Sequence, residues 1–232
     1  MSHGFFVSGT DTGVGKTLVA CALLHAFAAR GMRAIGMKPV AAGGERHAGR
    51  LENQDVAALK AASSMTAPDQ IINPYCFERP VAPHIAAAIE AVTIELERIE
   101  SAYAALAARA DCVIVEGAGG FRVPLGPGID TADLAALLKL PVILVVGMRL
   151  GCLNHALLTA AAVRSAGLPL AGWIANHIER DMLCAGENVA ALAERLPAPL
   201  LARIPYSAEP DGAQLADRRS LAALGAQALE RL

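Results

Sequence analysis

Thr10-Asp11-Thr12-Gly13-Val14-Gly15-Lys16-Thr17 lies between the apolar run Phe5-Phe6-Val7 and the stretch Leu18-Val19-Ala20-Cys21-Ala22-Leu23-Leu24. A short apolar strand, a glycine-containing loop closing on Gly-Lys-Thr and then a helix make up a phosphate-binding P-loop. Loop N–H groups and the free end of the helix point at one spot, where they favour an anion. Lys16 then reaches the outer phosphates, and the Thr17 hydroxyl is placed to meet Mg²⁺. The usual pattern separates its first glycine from Gly-Lys-Thr by four residues. Here Gly9 stands one position too early and Thr10 takes the place of that glycine, so the loop is one residue longer than the common form.

Outward from this loop, apolar runs alternate with alanine-rich helical runs. Strands are expected at Phe5–Ser8, Ala34–Met37, Cys112–Val115, Val142–Val146, Leu170–Ile174 and Leu200–Ile204. Their apolar character on both faces suits a parallel sheet covered on both sides. Helices are expected near 16–30, 54–63, 94–109, 131–138, 153–166, 182–196 and 213–231. The alternation predicts a doubly wound, mainly parallel α/β sheet of the P-loop nucleoside triphosphate hydrolase type. The Gly- and Pro-rich region 39–93 reads as loops and short helices reaching over the site. At 232 residues the chain is expected to form one domain, residues 1–232.

Composition narrows the partners. Hydrophobic residues are 54% and charged residues 18%, which argues against disorder, and a net charge of −2 gives no electrostatic reason to expect nucleic acid or an anionic membrane. Cys21, Cys76, Cys112, Cys152 and Cys184 are scattered and form no Cys-x-x-Cys, against a disulfide framework or zinc site. No basic-then-apolar leader precedes the first strand, and Val142–Gly147 is too short to span a bilayer. Cytoplasmic residence is expected.

In a doubly wound sheet, ligands bind beyond the carboxyl ends of the strands. Lys38 follows one strand and precedes Pro39, so it projects beside the P-loop, where it could meet a phosphate or a developing oxyanion. Glu116 closes another strand before Gly117-Ala118-Gly119-Gly120, the place of a Mg²⁺-linked carboxylate in a P-loop protein. Asp55 opens a helix and is read equally well as an ordinary first-turn acid or as a ligand. Asn176 and His177 follow a strand in Asn176-His177-Ile178-Glu179, which lacks the lysine and aspartate of the guanine-reading motif and so points to adenine. Gly151 and Asn154 begin a helix, as plain capping or as a carboxylate site. His84, after Pro83, and His155 are further candidates.

These stretches together resemble the dethiobiotin synthetase family. The match runs in order through Gly9–Thr17, Lys38-Pro-Val40, Asn73-Pro-Tyr75, Pro83-His84, Val115–Gly120, Leu150–Ala156, Ala171–Asn176 and Ile204-Pro205. The longer P-loop is itself a trait of that family. The resemblance implies a ligase that converts 7,8-diaminopelargonate, CO₂ and ATP into dethiobiotin, ADP and phosphate, with Mg²⁺ as cofactor. It implies Lys38 and Lys16 as the catalytic lysines, and Thr17, Asp55 and Glu116 around the metal. It implies nucleotide contacts from Gly13, Val14, Gly15, Lys16, Thr17, Leu18, Asp55, Glu116, Gly117, Ala118, Gly119, Asn176, His177, Pro205, Tyr206 and Ser207. Substrate contacts would come from Thr12, Lys38 and Ala42. Gly151, Cys152, Leu153 and Asn154, supplied by the other subunit of a homodimer, would hold the substrate carboxylate.

The sequence departs from the family at Gly13, where some members carry Glu, at Ala42, where others carry Ser or Thr, and at His177, where some have Asp. The main alternative is a regulatory ATPase of the partitioning or nitrogenase-iron-protein type. Those proteins carry a second lysine early in the loop, where this chain has Asp11.

Overall fold

The computed structural model describes residues 3–213. Its main sheet contains β1 (His3–Gly9), β2 (Ala34–Met37), β3 (Cys112–Glu116), β4 (Val142–Met148), β5 (Leu170–His177) and β6 (Leu200–Ile204). They pair in the order β6-β5-β4-β1-β3-β2, every neighbour parallel. The helices that pack on it are α1 (Lys16–Ala28), α2 (Gln54–Ala62), α3 (Leu96–Ala107), α4 (Thr131–Leu138), α5 (Cys152–Ser165) and α6 (Ala185–Arg195).

Burial on both faces explains the near-continuous apolar strands. Along β1 successive side chains point to opposite faces. Phe6 therefore packs with Val113, Val115 and Met37 under α3 and α4, whereas Phe5 and Val7 pack with α1 and Ile114. A third cluster joins Leu144, Val146 and Trp173 to Ala156 and Leu192 of α5 and α6. β1 is central, flanked by β4 and β3, so its carboxyl end opens where the winding of the sheet reverses.

All six expected strands are present, β1, β3, β4 and β5 running beyond their expected ends. α6 starts at Ala185 rather than near 182, because Cys184 adopts a left-handed φ of 52° that interrupts the helix there. The helix expected over 213–231 lies, beyond Ala213, outside the described residues.

Region 39–93 holds the two short helices Asp69–Ile72 and Pro83–Ile89, and also strands not expected from the sequence. Val40–Ala42 pairs in parallel with Tyr75–Phe77, and Glu45–His47 forms a hairpin with Arg50–Glu52. Three-residue strands carry no readable period, and the first pair joins segments far apart in the chain.

Candidate functional site

The P-loop is built around Val14. Its side chain is buried, and a Cβ added at Gly9 or at Gly147 would meet it at 2.6 or 2.7 Å. Gly15 turns the chain into α1 with φ 91°, and a Cβ there would lie 2.3 Å from the Asn176 amide nitrogen. That amide donates to the Val14 carbonyl at 2.8 Å. Asn176, expected to read the base, thus also clamps the loop from the end of β5. Gly13 has φ 73° and open space around its Cβ direction, so the position where other members carry Glu faces outward here.

Lys16 is buried and donates to the Asp11 carbonyl at 2.8 Å. Burial, then the neighbouring Lys38 charge, pull its ammonium down to about 8. α1 begins without a side-chain cap, which leaves its first-turn N–H groups for a phosphate.

Thr17, Lys38, Asp55 and Glu116 meet at the mouth of this loop. The Thr17 hydroxyl lies 2.9 Å from both Asp55 Oδ1 and Glu116 Oε1. Lys38 Nζ bridges the same acids, 2.8 Å from Asp55 Oδ2 and 2.5 Å from Glu116 Oε1. Desolvation works against the Lys38 charge, but the Glu116 and Asp55 carboxylates outweigh it and raise its pKa. Burial likewise opposes the Asp55 charge, and Lys38 with Thr17 overcomes it and lowers that pKa.

Each member has a local reason to be there. Asn53 caps α2 by accepting from the Asp55 and Val56 N–H groups, which fixes Asp55 in the first turn. Its amide also donates to the Ala42 carbonyl at 3.2 Å, drawing the expected substrate residue Ala42 to the same rim. Lys38 is held through its backbone: its N–H donates to Ile72 O at 2.9 Å, and Asn73 Nδ2 donates to its carbonyl at 2.6 Å. Thr12 faces the loop after β3, where a Cβ on Gly119 would sit 3.5 Å from its hydroxyl. Gly117 lies against the Phe6 ring, and Ala118 follows on the same loop.

The fit to Mg²⁺ rests on one buried atom. Glu116 Oε2 has no hydrogen-bond partner, although the residue is 1% exposed. An orphaned carboxylate oxygen beside Asp55 and a threonine hydroxyl is a hard-oxygen donor set. Two acids suit a cation that also takes phosphate oxygens and water rather than a closed all-protein cage. Among the described residues no cluster of three or more His, Cys, Asp or Glu could hold a metal.

His177, Glu179, Arg180, Arg203, Pro205 and Tyr206 line a cavity of about 240 Å³ beyond β5 and β6, which holds three of the residues expected near the base, whereas Asn176 is buried beneath the P-loop and is not in this lining. Ser207 is exposed and not among that lining. Burial and then Arg203 lower the His177 pKa. Leu18 lines a second cavity that runs from Thr17 along α1 to Cys21 and Asp211. Gly151 opens α5 with φ 94° and no side-chain cap; the Cys152 N–H is taken by the Arg149 carbonyl at 3.0 Å, which leaves the Leu153 and Asn154 N–H groups at the helix start. His84 has a buried Nδ1 with no partner and is not among the groups that meet at the carboxylates.

Asn53, Arg180 and Arg203 carried no role in the sequence reading, nor did two further residues at the site. Asn73 supports Lys38, and its signal was the Asn-Pro-Tyr stretch of the resemblance. Arg149, whose Nη2 lies 2.5 Å from Asp11 Oδ2, had no sequence signal.

Comparison with known proteins identifies the family and the fold. A family model described as an AAA domain matches residues 3–214. The ATP-dependent dethiobiotin synthetase BioD of Aromatoleum aromaticum is 60% identical over 92% of this chain and 95% of its own length. Those of Nitrosospira multiformis and Xanthomonas oryzae are 53% and 50% identical, over 97% and 90% of this chain and 98% and 93% of theirs. Among solved structures, a ParA family ATPase from Chlorobium tepidum superposes with a TM-score of 0.57 at 17% identity, covering 98% of both chains. MinD from Pyrococcus horikoshii gives 0.56 at 20%, over 99% of this chain and 94% of that one. At such identities the structural likeness speaks for the P-loop fold alone.

Proposed function

The chain belongs to the dethiobiotin synthetase family, and we propose that the residues gathered at its P-loop divide the work of that ATP-dependent ring closure as follows. One amine of 7,8-diaminopelargonate takes up CO₂ as a carbamate and releases a proton. A carbamate oxygen attacks the γ-phosphorus of ATP, the bond to the bridging oxygen breaks, and ADP leaves. The second amine then attacks the carbonyl of the mixed anhydride, loses a proton and expels phosphate, which closes the ureido ring of dethiobiotin.

The protein contributes positioning and charge. The uncapped start of α1 and Lys16 receive the phosphates. Lys38, held by its backbone at the carboxyl end of β2, faces the point where carbamate and γ-phosphate meet and offsets the charge they share. Thr12 orients the carbamate, and Ala42 lines that end of the substrate with no hydroxyl of its own. Thr17, Asp55 and Glu116 would hold Mg²⁺, which supplies a Lewis acid that draws charge from the phosphate oxygens. The cavity between His177 and Tyr206 takes the base.

The molecule acts on small substrates, and among the described residues no helix is long and apolar enough to cross a membrane. Two features of α5 support a shared assembly. The Leu153 and Asn154 N–H groups at its start suit a carboxylate, and Leu150 beside them is 94% exposed, an apolar side chain that a second copy would cover. On this reading each chain is one domain, and the substrate site is shared between the subunits of a cytoplasmic homodimer.

The observation that carries this reading is Lys38 Nζ bridging Asp55 and Glu116 beside Thr17 at the mouth of the P-loop. Purified protein given diaminopelargonate, bicarbonate, Mg²⁺ and ATP is expected to form dethiobiotin, detected by mass spectrometry, and Lys38→Ala to form none. ATP bound without any product would overturn the reading.

A further inference from the structure

Asp11 occupies the position where regulatory P-loop ATPases place a second lysine, and both its carboxylate oxygens and its carbonyl are engaged. Its Oδ1 accepts from the Thr12 N–H at 2.8 Å, its Oδ2 accepts from Arg149 at 2.5 Å, and its carbonyl accepts from Lys16 Nζ at 2.8 Å. Arg149 is tied at its other end, because its carbonyl accepts from the N–H of Cys152, the first residue of α5. Two more links join the same segments. The Thr10 N–H donates to Val145 O at 3.0 Å, and the Thr10 hydroxyl accepts from the Gly147 N–H at 3.3 Å.

These contacts join parts of two sites. Thr12 and Lys16 serve the carbamate and phosphates of one substrate, and the start of α5 serves the distal carboxylate of the substrate in the neighbouring site. We propose that Asp11 and Arg149 are positioning residues, an ionic strut that sets Thr12 and Lys16 relative to the start of α5 and so fixes one active site of the dimer relative to the other. The inference rests on the functional reading above.

The energetics favour a geometric role over a stabilising one. The Asp11 and Arg149 side chains are 47% and 37% exposed, and half-exposed ion pairs add little to folding stability. A short charge-assisted bond between the two side chains does restrict their separation. Thr12 follows Asp11 directly, so a swing of the carboxylate would carry the Thr12 N–H with it. The Thr12 N–H and Arg149 hold the Asp11 carboxyl below its ordinary range, which keeps it charged.

A double-mutant cycle tests this. Asp11→Asn and Arg149→Met are each expected to lower kcat/KM for diaminopelargonate about tenfold, a loss in keeping with a small misplacement of reacting groups. ADP affinity is expected to stay within about twofold, and the melting temperature unchanged, as for a half-exposed pair. The double variant should be no worse than the poorer single, because the two residues act as one unit. Arg149→Lys, which restores the charge, should recover most of the loss. Single variants close to wild type, losses that multiply, or Arg149→Lys as poor as Arg149→Met would each overturn the strut. A wild type that makes no dethiobiotin would overturn the functional reading and the strut together, whereas an active wild type with indifferent variants overturns the strut alone.

Discussion

At the scale of single residues, Lys38 and Glu116 decide both stability and chemistry. They are 4% and 1% exposed, and their contact at 2.5 Å joins two buried ionisable groups. Removing one partner of such a pair leaves an uncompensated buried charge, whereas replacing both with neutral groups can cost little. Lys38→Met is therefore expected to lower unfolding stability by about 3 kcal/mol, in urea titrations without Mg²⁺ or nucleotide. Adding Glu116→Gln to it should restore most of that stability and none of the turnover. If Lys38→Met unfolds at the wild-type midpoint, the ion pair contributes nothing to the fold and its geometry serves chemistry alone.

At the scale of elements, the two ends of the sheet do different jobs. The carboxyl ends carry the site, and the amino ends are fastened by charge. Arg33, just before β2, binds Asp111, just before β3, through both its backbone N–H and its guanidinium. These bonds hold the Asp111 carboxyl down at about 2, against an ordinary 3.8. A carboxyl with a depressed folded-state pKa adds stability above its unfolded pKa and loses it as pH falls through the folded one. Asp111→Asn should thus melt below wild type at pH 7, the gap closing from about pH 4 to pH 2. A gap unchanged at pH 2 would assign the effect to packing. The same elements show what sequence could and could not convey. Six buried strands announce themselves as apolar runs, and Lys38 and Glu116 are marked by standing where such runs stop. The three-residue pair of Val40–Ala42 with Tyr75–Phe77 has no period to read. Asp11 and Arg149 are 138 positions apart, and only the folded sheet reveals that they touch. Asp55 stayed ambiguous because its local setting, capped by Asn53, is that of any helix start, and its partners come from other elements.

At the scale of the whole molecule, the proposed sharing of the substrate site predicts complementation between inactive subunits. A dimer related by a two-fold axis places each Lys38 opposite the partner's helix start. Lys38→Ala removes the charge at the phosphate end. Asn154→Asp puts an acid in the first turn of α5, which the helix tolerates well, while it repels the substrate carboxylate and competes for the same N–H groups. Each homodimer is expected to be nearly inactive. In a random mixture half the dimers are mixed, and each of these holds one site with both lesions and one site with neither. Co-expression of the two variants should then recover about a quarter of wild-type activity at low diaminopelargonate. If each subunit instead built its site alone, every site would keep one lesion, and the mixture could not exceed the mean of its two parents. That comparison reads the assembly through its chemistry, without needing the dimer interface in advance.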